Sequence, residues 1–310
     1  MIMNKITKLW NYLLHNRNLL GLAILSRIAW LFPDKLFLKL LFRLHLGYPL
    51  NLDNPRTFSE KLQWLKLYNR RPEYTRMVDK YEVKKYVADL IGEEYIIPTL
   101  GVWDRVEDID FATLPNQFVL KTTHSGGNTG VVICKDKATF DINACKKKLQ
   151  KSLHDNIYKS LREWPYKNVK PRIIAEQFLS DDFNSDLPDY KFFCFDGVPH
   201  YCQVIKDRNS EETIDFYDTE WNLQEFIGLL ATKHSNNEID KPFNFKIMIV
   251  IARYLSRNIP FSRVDLYEIN GKVYFGEITF FPASGFGKFS PHEWNYTLGN
   301  LIKLPEDKIC

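Results

Sequence analysis

A chain of 310 residues with 45% hydrophobic and 15% aromatic content is long enough for one large or two ordinary domains and too apolar to be disordered. Its net charge of +4, scattered along the sequence, excludes the concentrated basic surface of a nucleic-acid-binding protein while suiting an anionic ligand. Five cysteines with no C-x-x-C spacing exclude a disulfide framework, and Cys134 and Cys194, set in apolar runs, read as buried thiols.

Residues 1–50 read as helices over Lys5–His15, Leu19–Leu31 and Asp34–Leu46, with Asp34 as a cap and Gly47 and Pro49 as a stop. Lys5, Lys8, Arg17, Arg27, Lys35, Lys39 and Arg43 are interleaved with apolar residues. That pattern suits either an amphipathic surface on an anionic membrane or, the preferred reading, a helical cap burying its apolar face on the domain. The run from Leu19 to Phe32 is broken by Ser26 and Arg27 and is too short to span a bilayer. No secretory signal is legible. A cytoplasmic protein is expected, with peripheral contact at the inner face of the membrane as the alternative.

Thr57 with Glu60 three residues later forms a capping box for a helix carrying Phe58, Leu62 and Leu65. One helix is predicted from Tyr74 to Ile91, ended by Gly92. Then come two short β-prone runs, Phe118–Leu120 and Val131–Cys134, around a loop rich in Thr, Ser and Gly. Adjacent glycines Gly126 and Gly127 allow close backbone approach to a ligand, and Lys121 beside them supplies a point charge. The loop matches neither G-x-x-x-x-G-K-[ST] nor G-x-G-x-x-G, so on its own it is a decorated hairpin or a phosphate loop. A basic helix follows over Asn143–His154, then an apolar strand over Arg172–Leu179 containing Glu176. Asp196-Gly197 and Asn270-Gly271 each mark a two-residue hairpin, and Pro242–Arg257 reads as a helix between them. The order of elements is that of an α+β protein.

The closing hairpin carries Arg263, Asp265, Glu277 and Thr279 inside apolar strands. Buried carboxylates need a partner or a metal. Two carboxylates with oxygen donors suit Mg²⁺, and the alternative is solvent or pairing with Arg263. Register decides whether they can share a site. A regular two-residue turn sets Asp265 opposite Gly276 and turns Glu277 to the other face. A three-residue loop with a bulge at Gly271, or an equivalent shift, is needed to bring both to one side.

Taken together, Asn54–Trp64, Val78–Lys84, Lys121–Gly127, Asp189–Gly197 and Arg263–Gly285 resemble the TupA-like (teichuronopeptide-biosynthesis) branch of the ATP-grasp superfamily, from about Leu50 to the C-terminus. The resemblance implies an ATP-grasp fold, two α+β lobes whose antiparallel sheets hold ATP, over residues 76–310 with a lobe boundary near 175–180, preceded by a helical region over 1–75. It implies that Lys80 and Lys121 hold phosphates, that Gly126 and Gly127 close over them, and that Glu176, Gln177, Phe178 and Leu179 line the adenine. Asp189 would meet the ribose, Lys191 the γ-phosphate, and Asp265 and Glu277 Mg²⁺. Many members place Asn two residues after the metal-binding Glu. Thr279 stands there instead as the third candidate ligand, and the helical first 75 residues replace the usual Rossmann-like domain.

The implied activity is an ADP-forming carboxylate–amine ligase working through an acyl phosphate, with Arg208, Arg263 and the Ser284-Gly285 turn holding the carboxylate. The branch points to an acidic cell-surface or capsular glycan, free or lipid-linked, joined to an amino acid or amine. The rivals are a sugar-nucleotide glycosyltransferase, for which Asp108-Ile109-Asp110 offers a D-x-D outside any apolar strand, a sugar kinase, and a non-catalytic scaffold. His124 is expected to shape the loop by hydrogen bonding.

Overall fold

The computed structural model describes residues 17–180, 188–206, 212–229, 233–235 and 239–310. Helices α1 (Arg17–Arg27), α2 (Asp34–Leu46), α3 (Phe58–Tyr68), α4 (Glu73–Val78) and α5 (Glu82–Ile91) come first. Strands β1 (Thr99–Trp103), β2 (Phe118–Thr122) and β3 (Val131–Cys134), helices α6 (Ile142–Leu153) and α7 (Ile157–Leu161), and β4 (Ile173–Gln177) follow. Then come β5 (Asp189–Phe195), β6 (Val198–Lys206), β7 (Thr213–Asp218), the short β8 (Ile227–Gly228) and α8 (Phe245–Leu255). The chain closes with β9 (Phe261–Ile269), β10 (Lys272–Thr279), β11 (Phe289–Ser290) and α9 (Glu293–Leu301).

Two antiparallel sheets dominate, a smaller one in the order β1-β4-β2-β3 and a larger one in the order β10-β9-β5-β6-β7. The smaller sheet and α6 enclose their own apolar core, which includes Phe118, Leu120, Cys145, Leu149, Ile173 and Ala175. The larger sheet shares a second core with α2, α3, α4 and α5, so the helical cap is packed into the large lobe. Strand β5 is buried along its whole length because it is covered on both faces. Phe192 meets Phe245 of α8 at 5.6 Å on one side, and Phe193 meets Phe58 of α3 at 6.4 Å on the other. Cys134 and Cys194 are buried free thiols.

Local chemistry sets the boundaries. The capping box is formed as expected: the Glu60 amide donates to Thr57 Oγ1 at 3.1 Å and the Thr57 amide donates to Glu60 Oε2 at 3.0 Å. Asp196-Gly197 and Asn270-Gly271 turn with both residues left-handed (φ 51° and 79°, 50° and 72°), the twist that matches a two-residue hairpin.

Two expectations fail on side-chain partners. Pro33, not Asp34, stands at the cap position of α2, because the Asp34 carboxylate is taken by Arg70 at 2.6 Å and Arg162 at 2.9 Å. The single helix predicted over Tyr74–Ile91 is broken. Asp79 is extended (ψ 114°), its Oδ1 accepts from the amides of Tyr81 and Glu82, and the Lys80 amide donates to Thr123 O at 3.0 Å. A local carboxylate cap and one tertiary hydrogen bond thus outcompete helical continuity. The remaining proposed helix, Lys5–His15, lies outside the described residues.

Candidate active site

The closing hairpin solves its register problem at Gly276. The turn has two residues, with Lys272 opposite Ile269 and Phe275 opposite Leu266, and the register then shifts so that Glu277 faces Asp265 and Thr279 faces Arg263. The bulge is therefore at Gly276 and not in a three-residue loop at Gly271. Glycine is needed there because a Cβ would approach Asp265 O at 3.0 Å and Tyr267 Cε2 at 2.9 Å. The shift has a chemical consequence. Lys191 of β5 pairs with Asp265, so Lys191, Asp265 and Glu277 form one polar row across three neighbouring strands.

That row is tightly bonded. Arg263 donates from Nε and Nη2 to the two Asp265 oxygens at 2.7 Å each, and Nη2 also reaches Glu277 Oε1 at 3.1 Å and Thr279 Oγ1 at 3.2 Å. Thr279 Oγ1 in turn donates to Glu277 Oε1 at 3.1 Å. Lys191 Nζ bonds Asp265 Oδ2 and lies 3.2 Å from Asp189 Oδ2. Burial pushes the Asp265 carboxyl up against the pull of Arg263 and Lys191. Burial also opposes ionisation of Glu277, but Lys80, Arg263 and Lys191 together hold it at about 2. The carboxylates are thus bonded to Arg263, the alternative to a metal, and they also share one face, as a metal site requires.

The smaller sheet supplies the opposing charges. Val119 stands opposite Glu176 and Lys121 opposite Ile174, so Lys121, Glu176 and Ile174 share a face. Glu176 Oε2 meets Lys121 at 2.6 Å and Oε1 meets Lys84 of α5 at 2.6 Å. Burial alone would raise Glu176; the two lysines hold it at about 2. Lys121 is in turn raised, since Glu176 and then Glu277 outweigh its burial. Ile174 is fully buried yet belongs to neither apolar core, and it gives this face an apolar floor. The break at Asp79 aims Lys80 into the same space: Nζ donates to Ser125 O, and Lys80 is the leading charge lowering Glu277.

The glycine loop rests on hydroxyls. Thr122 Oγ1 lies 2.7 Å from both Ser125 Oγ and Ser152 Oγ, and Gly130 sits so close that a Cβ would be 1.9 Å from Thr122 Oγ1. His124 is buried with Nε2 at 3.1 Å from Ser152 O, a loop-shaping contact. Gly126 is half-buried and Gly127, at φ 55°, is exposed at the loop tip. Gln177 ends β4 with its amide donating to Pro98 O at 3.0 Å, and Phe178 and Leu179 follow, half-buried.

Ser284 and Gly285 lie in a left-handed turn, with Ala283, Ser284 and Gly285 at φ 46°, 52° and 68°. Two non-glycine residues in that region are strained and need external support. Helix α3 gives it. Gln63 Nε2 donates to Ser284 O and Gly285 O at 3.1 Å, and Lys66 Nζ donates to Ser284 O and Oγ at 2.8 Å and to Leu161 O at 2.9 Å. Lys66 is fully buried; burial pulls its ammonium down and pushes the nearby Glu163 carboxyl up, while each charge favours the other. Lys66, Gln63 and Glu163 were not singled out from sequence, where the capping box and helical spacing are the local signals near Gln63 and Lys66. Arg208 lies outside the described residues. Asp108, of the D-x-D, pairs with Arg105 at 2.6 Å in an exposed turn. A 610 Å³ cavity bounded by Tyr201, Asp218, Lys246 and Arg253 involves none of these residues. Asp265, Glu277 and Thr279 present hard oxygen donors, which fit Mg²⁺. No group of three or more His, Cys, Asp or Glu placed to hold a metal ion occurs among the described residues, so phosphate oxygens would have to complete the shell.

The family model for TupA-like ATP-grasp proteins matches residues 60–303. The chain belongs to the TupA-like ATP-grasp family. This ATP-grasp chain accordingly has the α+β architecture of paired antiparallel sheets, and its described elements ahead of the first strand are helical. No curated protein matches the sequence. Solved structures similar to it include D-alanine–D-alanine ligase from Bacillus anthracis (17% identity, 73% of this chain and 66% of that one, TM-score 0.40). The enzyme of that name from Helicobacter pylori is also similar (15%, 80% and 69%, TM-score 0.42). So is the ATP-grasp ligase PsnB with a phosphomimetic variant of its minimal precursor, Mg and ADP (12%, 79% and 65%, TM-score 0.40). The chain spans about two thirds of the length of these structures.

Proposed function

We propose that this protein is an ATP- and Mg²⁺-dependent carboxylate–amine ligase that forms an amide through an acyl phosphate and releases ADP. The supporting observation is the Gly276 bulge, which sets Asp265 and Glu277 side by side, with Glu277 within electrostatic reach of Lys80 from the break between α4 and α5 and of Lys121 from the other sheet. Paired carboxylates facing paired lysines suit a metal-bound polyphosphate and little else.

In this reading Lys80 and Lys121 bind phosphate oxygens and the Gly126-Gly127 loop closes over them. Ile174 and the segment Glu176–Leu179 flank the base, Asp189 orients the ribose, and Lys191 holds the γ-phosphate. Asp265 and Glu277 hold the metal while Thr279 orients Glu277 through its 3.1 Å hydrogen bond. Bound Mg²⁺ neutralises charge on the phosphate oxygens as the γ-phosphoryl group moves. The Arg263 fork holds the substrate carboxylate in line with the γ-phosphorus, as a guanidinium can, with Arg208 as a second candidate. The turn at Ser284 and Gly285, fixed by Gln63 and Lys66, fits the acyl phosphate or its carboxylate precursor. An amine then displaces phosphate from the acyl carbon. Most of the acceleration in such chemistry comes from positioning and charge stabilisation.

The substrate we propose is a uronic-acid-bearing cell-envelope glycan or lipid-linked precursor, joined to an amino acid or amine in the cytoplasm. Family likeness and the net charge of +4 support it. Calorimetry with Mg·ATP and UDP-sugars tests the nucleotide site without knowledge of the acceptor. Mg·ATP is expected to bind wild type, with Lys121→Ala and Glu277→Gln each weakening it at least tenfold, and UDP-sugars to give no heat. Binding of UDP-sugars in place of ATP would overturn the assignment. A phosphate ester in place of an amide among the products would make the enzyme a kinase.

A further inference from the structure

Helix α2 has two apolar faces. One is the expected cap: Phe37, Leu38, Leu41 and Phe42 are buried in the large-lobe core. The other is exposed and formed by Leu36 and Leu40, one helical turn apart. Helix α1 extends it. Gly21 lies against α2 so closely that a Cβ would meet Leu44 Cδ2 at 2.9 Å, and Ile24 of α1 is exposed. The turn between the helices adds Leu31 and Trp30, the latter 80% exposed. Ile24 of α1, Trp30 and Leu31 of the turn, and Leu36 and Leu40 of α2 are thus all exposed apolar residues of this helical hairpin.

Its border is basic. Lys35, Lys39 and Arg43 recur every four residues on the adjoining stripe of α2, and Arg27 ends α1; all four are exposed and none has an acidic partner among the described residues. Asp34 is the single acid between residues 17 and 50, and its carboxylate is neutralised inward by Arg70 and Arg162. A cationic rim around exposed apolar residues that include an indole is complementary to an anionic bilayer interface, where tryptophan sits at headgroup depth and each cation adds attraction. No helix among the described residues is long and apolar enough to cross a membrane.

We infer that α1, the turn at Trp30 and the outer face of α2 form a monotopic docking surface for an anionic lipid bilayer. The inference goes beyond the ligase reading and does not depend on it. Sedimentation of the full chain with vesicles of phosphatidylcholine, alone or mixed with phosphatidylglycerol, is the test. The chain is expected to pellet with the anionic vesicles and to be released by salt. Lys35→Ala/Lys39→Ala should weaken partitioning about 25-fold, or roughly fivefold per cation, and Trp30→Ser should reduce it further. Phe243→Ser, at another exposed aromatic position, should leave it unchanged. Unaltered thermal unfolding of each variant shows that the fold is retained. Absence of wild-type binding to anionic vesicles, or equal binding by the α2 variants, would overturn the inference. So would a wild-type dimer in light scattering that Trp30→Ser dissolves without any vesicle binding, since the occupant would then be a second copy of the chain.

Discussion

Replacing Glu176 with Gln removes one charge from a buried, doubly bridged site and so isolates the electrostatics of the cleft. Its carboxylate is held at about 2, against 4.5 for a free side chain, by Lys121 and Lys84 acting against burial. Each pKa unit is worth about 1.4 kcal/mol, so the ionised group contributes on the order of 3 kcal/mol to folding. The folded value is depressed, so this contribution is complete above about 4.5 and is lost as the pH falls to about 2. Gln cannot titrate, and it leaves Lys121 without the carboxylate 2.6 Å away. Urea unfolding followed by tryptophan fluorescence should show the variant less stable near neutral pH by roughly 3 kcal/mol, or about 1 M in midpoint for a slope near 3 kcal/mol/M. The gap between wild type and variant should close as the solution is acidified. A constant gap across that range, or none at neutral pH, would refute the view that the two lysines stabilise an ionised Glu176.

Two further substitutions test the supports of the site. Gly130→Ala would drive a methyl group into the hydroxyls of Thr122, Ser125 and Ser152; a loss of about 1–3 kcal/mol in denaturant unfolding is expected, in the range for overpacking. Lys66→Met preserves the length of the buried side chain but leaves Leu161 O without the Lys66 donor, Ser284 O with Gln63 alone and Glu163 without its cation. A loss of about 3–5 kcal/mol is expected, and unfolding at the wild-type midpoint would contradict a structural role for that lysine.

The parts of this fold visible in the sequence are those written in local chemistry. Both hairpin turns, the capping box at Thr57 and the strand–loop–strand around Lys121 depend on residues within a few positions of one another. The bulge at Gly276 was legible as a requirement but not as a place. It depends on contact with Asp265 and Tyr267 across the hairpin, while the turn residues themselves specify a regular connection. The break at Asp79 was missed because Val83 and Val87 continue the helical period, whereas the Asp79 cap that ends it is backed by Thr123 and Arg172, some tens of residues away. Lys66 and Glu163 were invisible for the same reason. Apart, each is a charged residue on a helix or in a turn, and only the packing of α3 against Leu161 and Ser284 makes them neighbours.

The resting cleft carries its own counterions. Lys80, Lys84, Lys121, Lys191 and Arg263 stand against Glu176, Asp189, Asp265 and Glu277, and most of these charges are already bonded to one another. Under the proposed function, ligand binding is then an exchange of partners rather than a new burial of charge. Phosphates draw Lys121 away from Glu176 and Lys80 away from the Ser125 carbonyl, and the metal draws Asp265 and Glu277 away from Arg263 and Lys191. Either half of the exchange alone would strand buried charges of one sign. The metal and the nucleotide are therefore expected to bind as a unit, and Arg263 becomes free to receive a substrate carboxylate only when both have arrived.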